Sequence, residues 1–254
     1  MTDTQPEKYL PASVLVIAAH PDDIDFGVAG SVAKWTAHGA RVTYCIVTDG
    51  SSGSNDPNID LEELIATRQN EQTRAAAAVG VNDIRWLGYK DGTLTPSLEL
   101  RRDLTRLIRE LKPERVVTFD PTTIIPAGRN YINHPDHRAT GEAALYAVFP
   151  SAESRPIFPE LLIEGYEPHK VKDLYMVLSD DTNTYVDISD HIEAKAEALA
   201  CHASQLDDKV VKMVTGWNAS YGEKVGVRYA EVFRVMYPHR EDEQGAAEQA
   251  EGQS

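Results

Sequence analysis

Short apolar runs alternate with stretches of helical periodicity along most of the chain, and this alternation constrains the fold more than any other feature. The runs VLVIA at residues 14–18, RVTYCIV at 41–47 and VVTF at 116–119 are rich in β-branched and aromatic residues. Between them, residues 98–111 carry leucine or isoleucine at helical spacing. Buried strands separated by helices indicate a largely parallel sheet that is covered on both faces.

The pattern predicts an α/β protein with a Rossmann-like, largely parallel sheet and an α+β extension in its C-terminal part. Strands are predicted at residues 14–18, 41–47, 84–87, 116–119, 174–178, 185–188 and 229–236. Helices are predicted at residues 27–38, 61–79, 98–111, 136–148 and 191–206. We expect one domain over residues 10–238, with disordered tails at 1–9 and 239–254, the second of which is acidic and low in complexity.

The composition argues against several classes of partner. The chain has 254 residues and a formal net charge of −15, and its lysines and arginines form no basic cluster of the kind that binds nucleic acid. No apolar run approaches the roughly 20 residues of a membrane span, and the N-terminal segment lacks the apolar core of a signal peptide. With only two cysteines and no CxxC, a cytoplasmic protein is expected.

Two histidine- and aspartate-rich motifs follow predicted strands. The motif AAHPDDID, residues 18–25, continues directly from the first strand. The motif NHPDHR, residues 133–138, comes after the strand that ends at Phe119 and opens a helix. Ligands of such sheets bind beyond the carboxyl ends of the strands, so both motifs are expected at the same edge.

Together the motifs predict the ligands of a catalytic metal site. His20 and Asp23 offer an imidazole and a carboxylate three residues apart, and His137 could complete the set. Three protein ligands leave positions for water and substrate, which is typical of catalytic zinc. Asp22, beside a ligand, could take a proton from the attacking water.

Two further residues of the second motif fit the same chemistry. His134 lies one helical turn before His137 and could stabilise an oxyanion or protonate a leaving amine. Asp136 could orient one of the imidazoles, as carboxylates behind metal ligands often do.

Each motif has a simpler explanation when it is taken alone. Acidic residues at a helix N-terminus are stabilised by the helix dipole, which accounts for Asp22, Asp23 and Asp25 without any metal. HPDH could likewise be a helix start with two surface histidines. Two histidines and a carboxylate also match the non-haem iron oxygenases, although the additional Asp22 favours hydrolysis.

A nucleotide-binding protein of the same architecture is a competing hypothesis, for which the sequence offers little. HPDD follows the first strand where a dinucleotide-binding protein would have G-x-G-x-x-G, and no G-x-x-x-x-G-K-[ST] occurs. GSSGS does not match the G-x-S-x-G turn of serine hydrolases.

With both motifs established, the sequence resembles the LmbE-like, or PIG-L, family of metal-dependent N-deacetylases. The similarity spans most of residues 13–206. It rests on AHPDDID, TDG at 48–50, TRQNEQTRAAAAVGV, LGYKDG, NHPDHR and KAEALACHASQ. The resemblance implies a zinc-dependent enzyme that removes acetyl from a small N-acetylglucosamine-type sugar or its conjugate. It also implies His20, Asp23 and His137 as zinc ligands, with Asp22 as general base and His134 at the oxyanion.

The resemblance also implies two substrate-binding residues, Arg68 and Asp91, that would contact sugar hydroxyls. Without it, Arg68 would be assigned to a weak surface pair with Glu71, and Asp91 to a turn with the glycine that follows it. His202 could line the site or simply pack in the core.

The chain departs from better-known members at two positions, which leaves the substrate open. Ser51 stands where many members have glutamate, and Ile132 where some have tyrosine. An amidase that cleaves a larger amide, such as a thiol-sugar conjugate, and a non-catalytic metal-binding member are the alternatives. The metal could be zinc, Fe²⁺ or another divalent ion, and a homo-oligomer is possible.

Overall fold

An eight-stranded sheet forms the centre of the computed structural model, which describes residues 4–128 and 130–239. The strands are β1 Gln5–Pro6, β2 Ser13–Ala18, β3 Arg41–Thr48, β4 Asp83–Tyr89, β5 Arg115–Phe119, β6 Asp173–Val177, β7 Thr184–Asp187 and β8 Ala230–Met236. Their order across the sheet is β1-β7-β8-β6-β5-β2-β3-β4. The strands from β6 to β4 in this order are parallel, and β8 is antiparallel to both of its neighbours. The predicted α/β class is confirmed.

Helices cover both faces of the sheet. The α-helices are α1 Asp23–Gly27, α2 Ala29–Ala37, α3 Leu61–Ala78, α4 Leu98–Leu111, α5 Pro135–Tyr146, α6 Glu160–Ile163, α7 Ile192–Ala200 and α8 Asp208–Val225, and a π-helical segment, Ala147–Ser151, follows α5. The two longest helices, α3 and α8, each have an N-terminal cap formed by a side chain. Asp60 accepts hydrogen bonds from two backbone amides of α3, and Asp207 does the same for α8.

The central strand β2 shows why both faces must be covered. Val14 and Val16 point into the layer that contains Trp35 of α2, whereas Leu15 and Ile17 point into the layer that contains Leu104 of α4. Every residue of β2 is buried. Side chains of a strand point alternately to the two faces of the sheet, so those of β2 pack into two separate cores. This is the reason for its continuous apolar sequence.

Two predicted helices differ from those observed. The helix expected at 27–38 is divided, because Val28 has φ −144° and separates α1 from α2. The helix expected at 191–206 ends at Ala200, so the chain is free to turn before His202.

The long helix α8 was not predicted from the sequence. Only Val214, Asn218 and Gly222 are buried along its 18 residues, a narrow stripe with a single aliphatic member. Hydrophobic periodicity is therefore weak, although the Asp207 cap and the left-handed Gly226 at its end are recognisable boundary signals.

Residues 4–9, which were expected to belong to a disordered tail, make defined contacts in the structure. Gln5–Pro6 pairs with β7, and the Glu7 carboxylate accepts a hydrogen bond of 2.8 Å from the indole of Trp35. Glu7 also forms an ion pair with the buried Arg115. Residues 1–3 and most of the predicted C-terminal tail lie outside the described residues. Within the described residues, no helix is long and apolar enough to cross a bilayer.

Gly141 sets how closely α5 approaches the sheet. A Cβ atom there would lie 2.4 Å from the Phe119 carbonyl oxygen, whereas one at Gly216 of α8 would meet nothing within 4 Å.

We expect Gly141→Ala to lower the free energy of unfolding by about 1–3 kcal/mol, because the helix must move off the backbone of β5. Gly216→Ala, the matched control, should raise it by roughly 0.5–1 kcal/mol through helix propensity. Urea titration measures both, and equal stability of the Gly141 variant and the parent would contradict this packing.

Candidate active site

Parallel pairing of β2 with β5 brings the two motifs together. The register joins Val14 to Arg115 and Val16 to Val117, so both strands end at the same edge. His20 follows β2 within two residues, and α5 returns the second motif to this edge after the loop that follows β5. The His137 ring stacks on Phe119, the last residue of β5, with ring centroids 4.3 Å apart.

The Asp23 carboxylate lies between the two predicted histidine ligands. Its Oδ2 atom is 3.2 Å from His20 Nδ1, and its Oδ1 atom is 3.0 Å from His137 Nε2. One ligand atom from each of the three residues lies within 4.8 Å of the others. This set of two imidazoles and a carboxylate fits zinc or another first-row divalent ion.

The remaining ring nitrogens are held by protein groups, which fixes the orientation of both rings. His20 Nε2 lies 3.1 Å from Asp91 Oδ1 and 3.4 Å from Asp136 Oδ2. His137 Nδ1 lies 3.0 Å from Asn133 Oδ1. His20 Nδ1 and His137 Nε2 are thereby turned towards Asp23, an arrangement typical of metal-binding histidines.

A second group, His20, Asp91 and His134, also brings three ligand atoms within 4.8 Å of one another. The Asp91 carboxylate is already engaged, because it accepts a hydrogen bond from the Ser52 amide and lies 3.8 Å from Arg68 Nη1. A guanidinium so close disfavours a metal cation there. The first group is therefore the better candidate.

Asp22 occupies a strained backbone position at the centre of the site. Its φ of 96° is uncommon for a residue with a side chain. Gln72 Oε1 accepts a 2.8 Å hydrogen bond from the Asp22 amide, and Arg68 Nη2 donates to the Pro21 carbonyl at 2.9 Å. These contacts from α3 hold the turn in place.

The charges around the site shift the pKa values of the two neighbouring aspartates in opposite directions. Burial and the Asp23 carboxylate raise the pKa of Asp22 to about 7, although Arg68 opposes the shift. Burial also acts to raise the pKa of Asp23, but His137 and His20 outweigh it and hold that pKa well below its usual range. Asp23 is thus an anion suited to a cation, whereas Asp22 can exchange a proton.

His134 is placed as a hydrogen-bond donor. It precedes α5, and its Nδ1 atom accepts a 3.2 Å hydrogen bond from the Asp136 amide. Burial and the neighbouring His20 lower the pKa of His134, so the neutral ring is favoured. With Nδ1 accepting, the proton of the neutral ring is on Nε2. The ring centroid lies 4.7 Å from that of His20.

Asp136 lies behind the site. Its carboxylate accepts hydrogen bonds from the Gly92 amide at 2.7 Å and the Leu94 amide at 3.1 Å, besides its contact with His20. It has no exposed surface, so it can contact His20 but has no access to a substrate. Burial acts to raise the pKa of Asp136, but these hydrogen bonds outweigh it and lower the pKa.

Arg68 is no surface residue, so its assignment to a pair with Glu71 is wrong. Its side chain is 5% exposed and donates to the Gly50 carbonyl at 2.7 Å, besides the contact with Pro21. Glu71 instead accepts hydrogen bonds from the amide and hydroxyl of Ser204. Asp91 is also buried, at 5% exposure, and is more than a turn residue.

Asp25 lies in the first turn of α1, as the sequence suggests, but its carboxylate does not face solvent. It is fully buried, where Gln72 Nε2 donates to it at 2.9 Å and His202 Nε2 lies 2.7 Å away. His202 therefore packs behind the site. Burial acts to lower the pKa of His202, but the contact with Asp25 outweighs it and raises the pKa.

Sequence reasoning missed Gln72, Asn133 and Phe119 as supporting residues. Asn133 directly precedes HPDH, and its position four residues before His137 was the available signal for a partner one turn away. Gln72 lies one turn after Arg68 on α3 and gave no signal of its own. Of the two departures from the family pattern, Ser51 is buried and bonds to Lys90, whereas Ile132 is 75% exposed.

Fold and site together define an α/β protein with a largely parallel sheet and a candidate site for a divalent metal at the carboxyl edge of that sheet. The chain belongs to the GlcNAc-PI de-N-acetylase (PIG-L) family, whose model matches residues 15–148.

Similar proteins cover most of the chain. A diacetylchitobiose deacetylase of Thermococcus kodakarensis is 35% identical over 88% of this chain and 82% of its own length. A probable N-acetyl-alpha-D-glucosaminyl L-malate deacetylase 2 of Bacillus anthracis is 32% identical over 90% of this chain and 96% of its own length. The solved N,N'-diacetylchitobiose deacetylase of Pyrococcus horikoshii superposes with a TM-score of 0.82 at 35% identity, covering 89% of this chain and 84% of that one.

Removing either candidate histidine ligand should abolish metal retention. We expect His20→Ala and His137→Ala each to lower zinc content after dialysis at least tenfold, because the two ligands that are left hold the ion weakly. Each tenfold loss of affinity corresponds to about 1.4 kcal/mol of binding free energy. Elemental analysis measures the content, and His38→Ala, at an exposed position, is the control. Full zinc content in both variants would rule out this site.

The Gln72 contact should matter for turnover more than for metal content. Gln72→Ala removes the acceptor of the strained Asp22 amide, so we expect kcat to fall roughly tenfold, about 1.4 kcal/mol, with zinc content unchanged. Asn70→Ala, at an exposed position of the same helix, is the matched control. If both variants keep full kcat on an N-acetylated sugar, the contact has no such role.

Proposed function

We propose that this protein is a metal-dependent N-deacetylase that hydrolyses the amide of a small N-acetylglucosamine-type sugar or its conjugate. The observation that carries the proposal is the separation of the two aspartates after β2. Asp23 lies between the two histidines, whereas Asp22 lies beside them with Arg68 at 3.4 Å. The relatives named as deacetylases of N-acetylated sugars support the same reaction.

His20, Asp23 and His137 would hold the metal, which we propose to be zinc. When bound, a zinc ion supplies a Lewis acid that polarises a carbonyl and lowers the pKa of water. The donor set and the fixed ring orientations support this assignment, and Fe²⁺ would accept the same ligands.

Asp22 would move the proton, and His134 would stabilise the negative charge. The Asp22 carboxylate takes a proton from the attacking water, whose oxygen forms a bond to the amide carbonyl carbon. His134 Nε2–H donates a hydrogen bond to the oxygen that becomes negative in the tetrahedral state. The carbon–nitrogen bond then breaks, and Asp22 returns its proton to the amine, giving acetic acid and the free amino sugar.

The sugar would lie on the side of the site that follows β3 and β4. Arg68 and Asp91 lie there, and the exposed Ser52 follows β3 on the same side. Both charged residues are largely engaged by protein groups, so we propose that they shape a polar wall against which sugar hydroxyls bind. A small-molecule substrate and a cytoplasmic location with two free thiols, Cys45 and Cys201, complete the proposal.

Asp22→Asn should separate catalysis from metal binding. The amide cannot accept the proton of water, so we expect kcat/KM for an N-acetylglucosaminide to fall by a factor on the order of 10²–10⁴, while zinc content and the melting temperature stay close to the parent. Amine release by zinc-loaded protein, measured with an amine-reactive dye, gives the rate. Loss of zinc in this variant would instead make Asp22 a ligand.

A further inference from the structure

A large cavity opens from the metal-ligand side of the site. It has a volume of about 870 Å³, and Asp23 and His137 form part of its wall. Arg68, Asp91 and His134 do not line it. The cavity is therefore continuous with the candidate site but lies away from the polar wall.

The order of the strands places this cavity and the polar wall on opposite sides of β2. Ser52 and Asp91 follow β3 and β4, on one side of the strand that carries His20. Phe119 of β5 and Val177 of β6 line the cavity on the other side. An amide held at His20 and His137 thus has one substituent facing polar groups and the other facing the cavity.

The part of the cavity wall beside the ligands is apolar. Phe26 and Gly27 of α1 join Phe119 and Val177 there. Helix α8 adds Val214, Trp217 and Tyr221, whereas the charged Asp180 and Lys224 are exposed at the rim. Two buried polar residues also line the cavity, but Glu231 is engaged by Lys195 and Asn218 donates to the Ala230 carbonyl. The apolar wall beside the ligands suits a hydrocarbon chain more than a second hydroxylated ring.

We propose that the cavity binds the acyl chain of the substrate, and that the protein hydrolyses N-acyl amino sugars with chains of about six to eight carbons as well as acetyl. This inference rests on the proposed function. An acetyl methyl group is of a size comparable to a water molecule, which occupies roughly 30 Å³. It would leave almost the whole cavity filled with water. Hydrolysis is otherwise unchanged: water supplies the hydroxyl of the released carboxylic acid, and the amine takes the proton.

The test is a series of glucosamines that carry N-acetyl, N-butanoyl, N-hexanoyl and N-octanoyl groups. All release the same amine, so one assay with zinc-loaded protein compares them directly. We expect kcat/KM to rise along the series by up to about fourfold for each buried methylene. Release from the acetyl compound alone would overturn the acyl cavity and leave the proposed function standing. Release from none of them would overturn both.

Two variants connect the chain-length preference to this cavity. Trp217→Ala removes part of the α8 wall, and Ala127→Trp adds bulk on the exposed loop after β5, which also lines the cavity. Each should lower the ratio of octanoyl to acetyl kcat/KM several-fold. Met213→Ala is the matched control, since Met213 is exposed on the same helix and does not line the cavity. An unchanged ratio in both cavity variants would contradict the proposal.

The same variants distinguish an acyl chain from a second sugar. N,N'-diacetylchitobiose carries an additional ring beyond the reacting sugar. If Trp217→Ala lowers kcat/KM for this disaccharide but not for N-octanoylglucosamine, the cavity binds the sugar side of the substrate and the acyl assignment is wrong.

Discussion

Parallel hydrogen bonding between β2 and β5 determines where the two halves of the site meet. The strands are about a hundred residues apart in the chain, yet their register brings their carboxyl ends to the same edge. Gly141 allows α5 to pack directly on the end of β5, and Phe119 at that end stacks on His137. The position of one metal-ligand candidate relative to the other thus follows from sheet register and from the close approach of one helix.

Three aspartates contact the imidazoles of His20 and His137, and burial makes their hydrogen bonds decisive. The negative charge of Asp136 is compensated by hydrogen bonds from two backbone amides, and that of Asp91 by the Ser52 amide and Arg68. Asp23 is left facing His20 and His137, so its charge is available to a cation. Since buried charges are costly unless paired, this distribution distinguishes carboxylates that support the rings from the one that can bind metal.

Helix α3 acts as the support of the strained turn that carries Asp22. Gln72 connects that turn to Asp25, and Asp25 in turn contacts His202, so three buried polar residues form a continuous layer behind the catalytic candidates. Such a layer supplies hydrogen-bond partners to polar groups that would be costly to bury without them. It explains why residues that seem to belong to a simple acidic helix start have several different roles.

The sequence by itself determined the α/β class, the edge of the sheet that carries the site, and the grouping of His20, Asp23 and His137 as candidate ligands. These inferences depend on local signals: continuous apolar strands, helical periodicity, and two short motifs placed after strands. Only the tertiary structure decided the roles of Gln72, Asn133 and Asp25, the course of α8, and the cavity beyond Phe119 and Val177. Their contacts join residues that are distant in the chain or depend on packing geometry, and neither periodicity nor motif spacing carries that information.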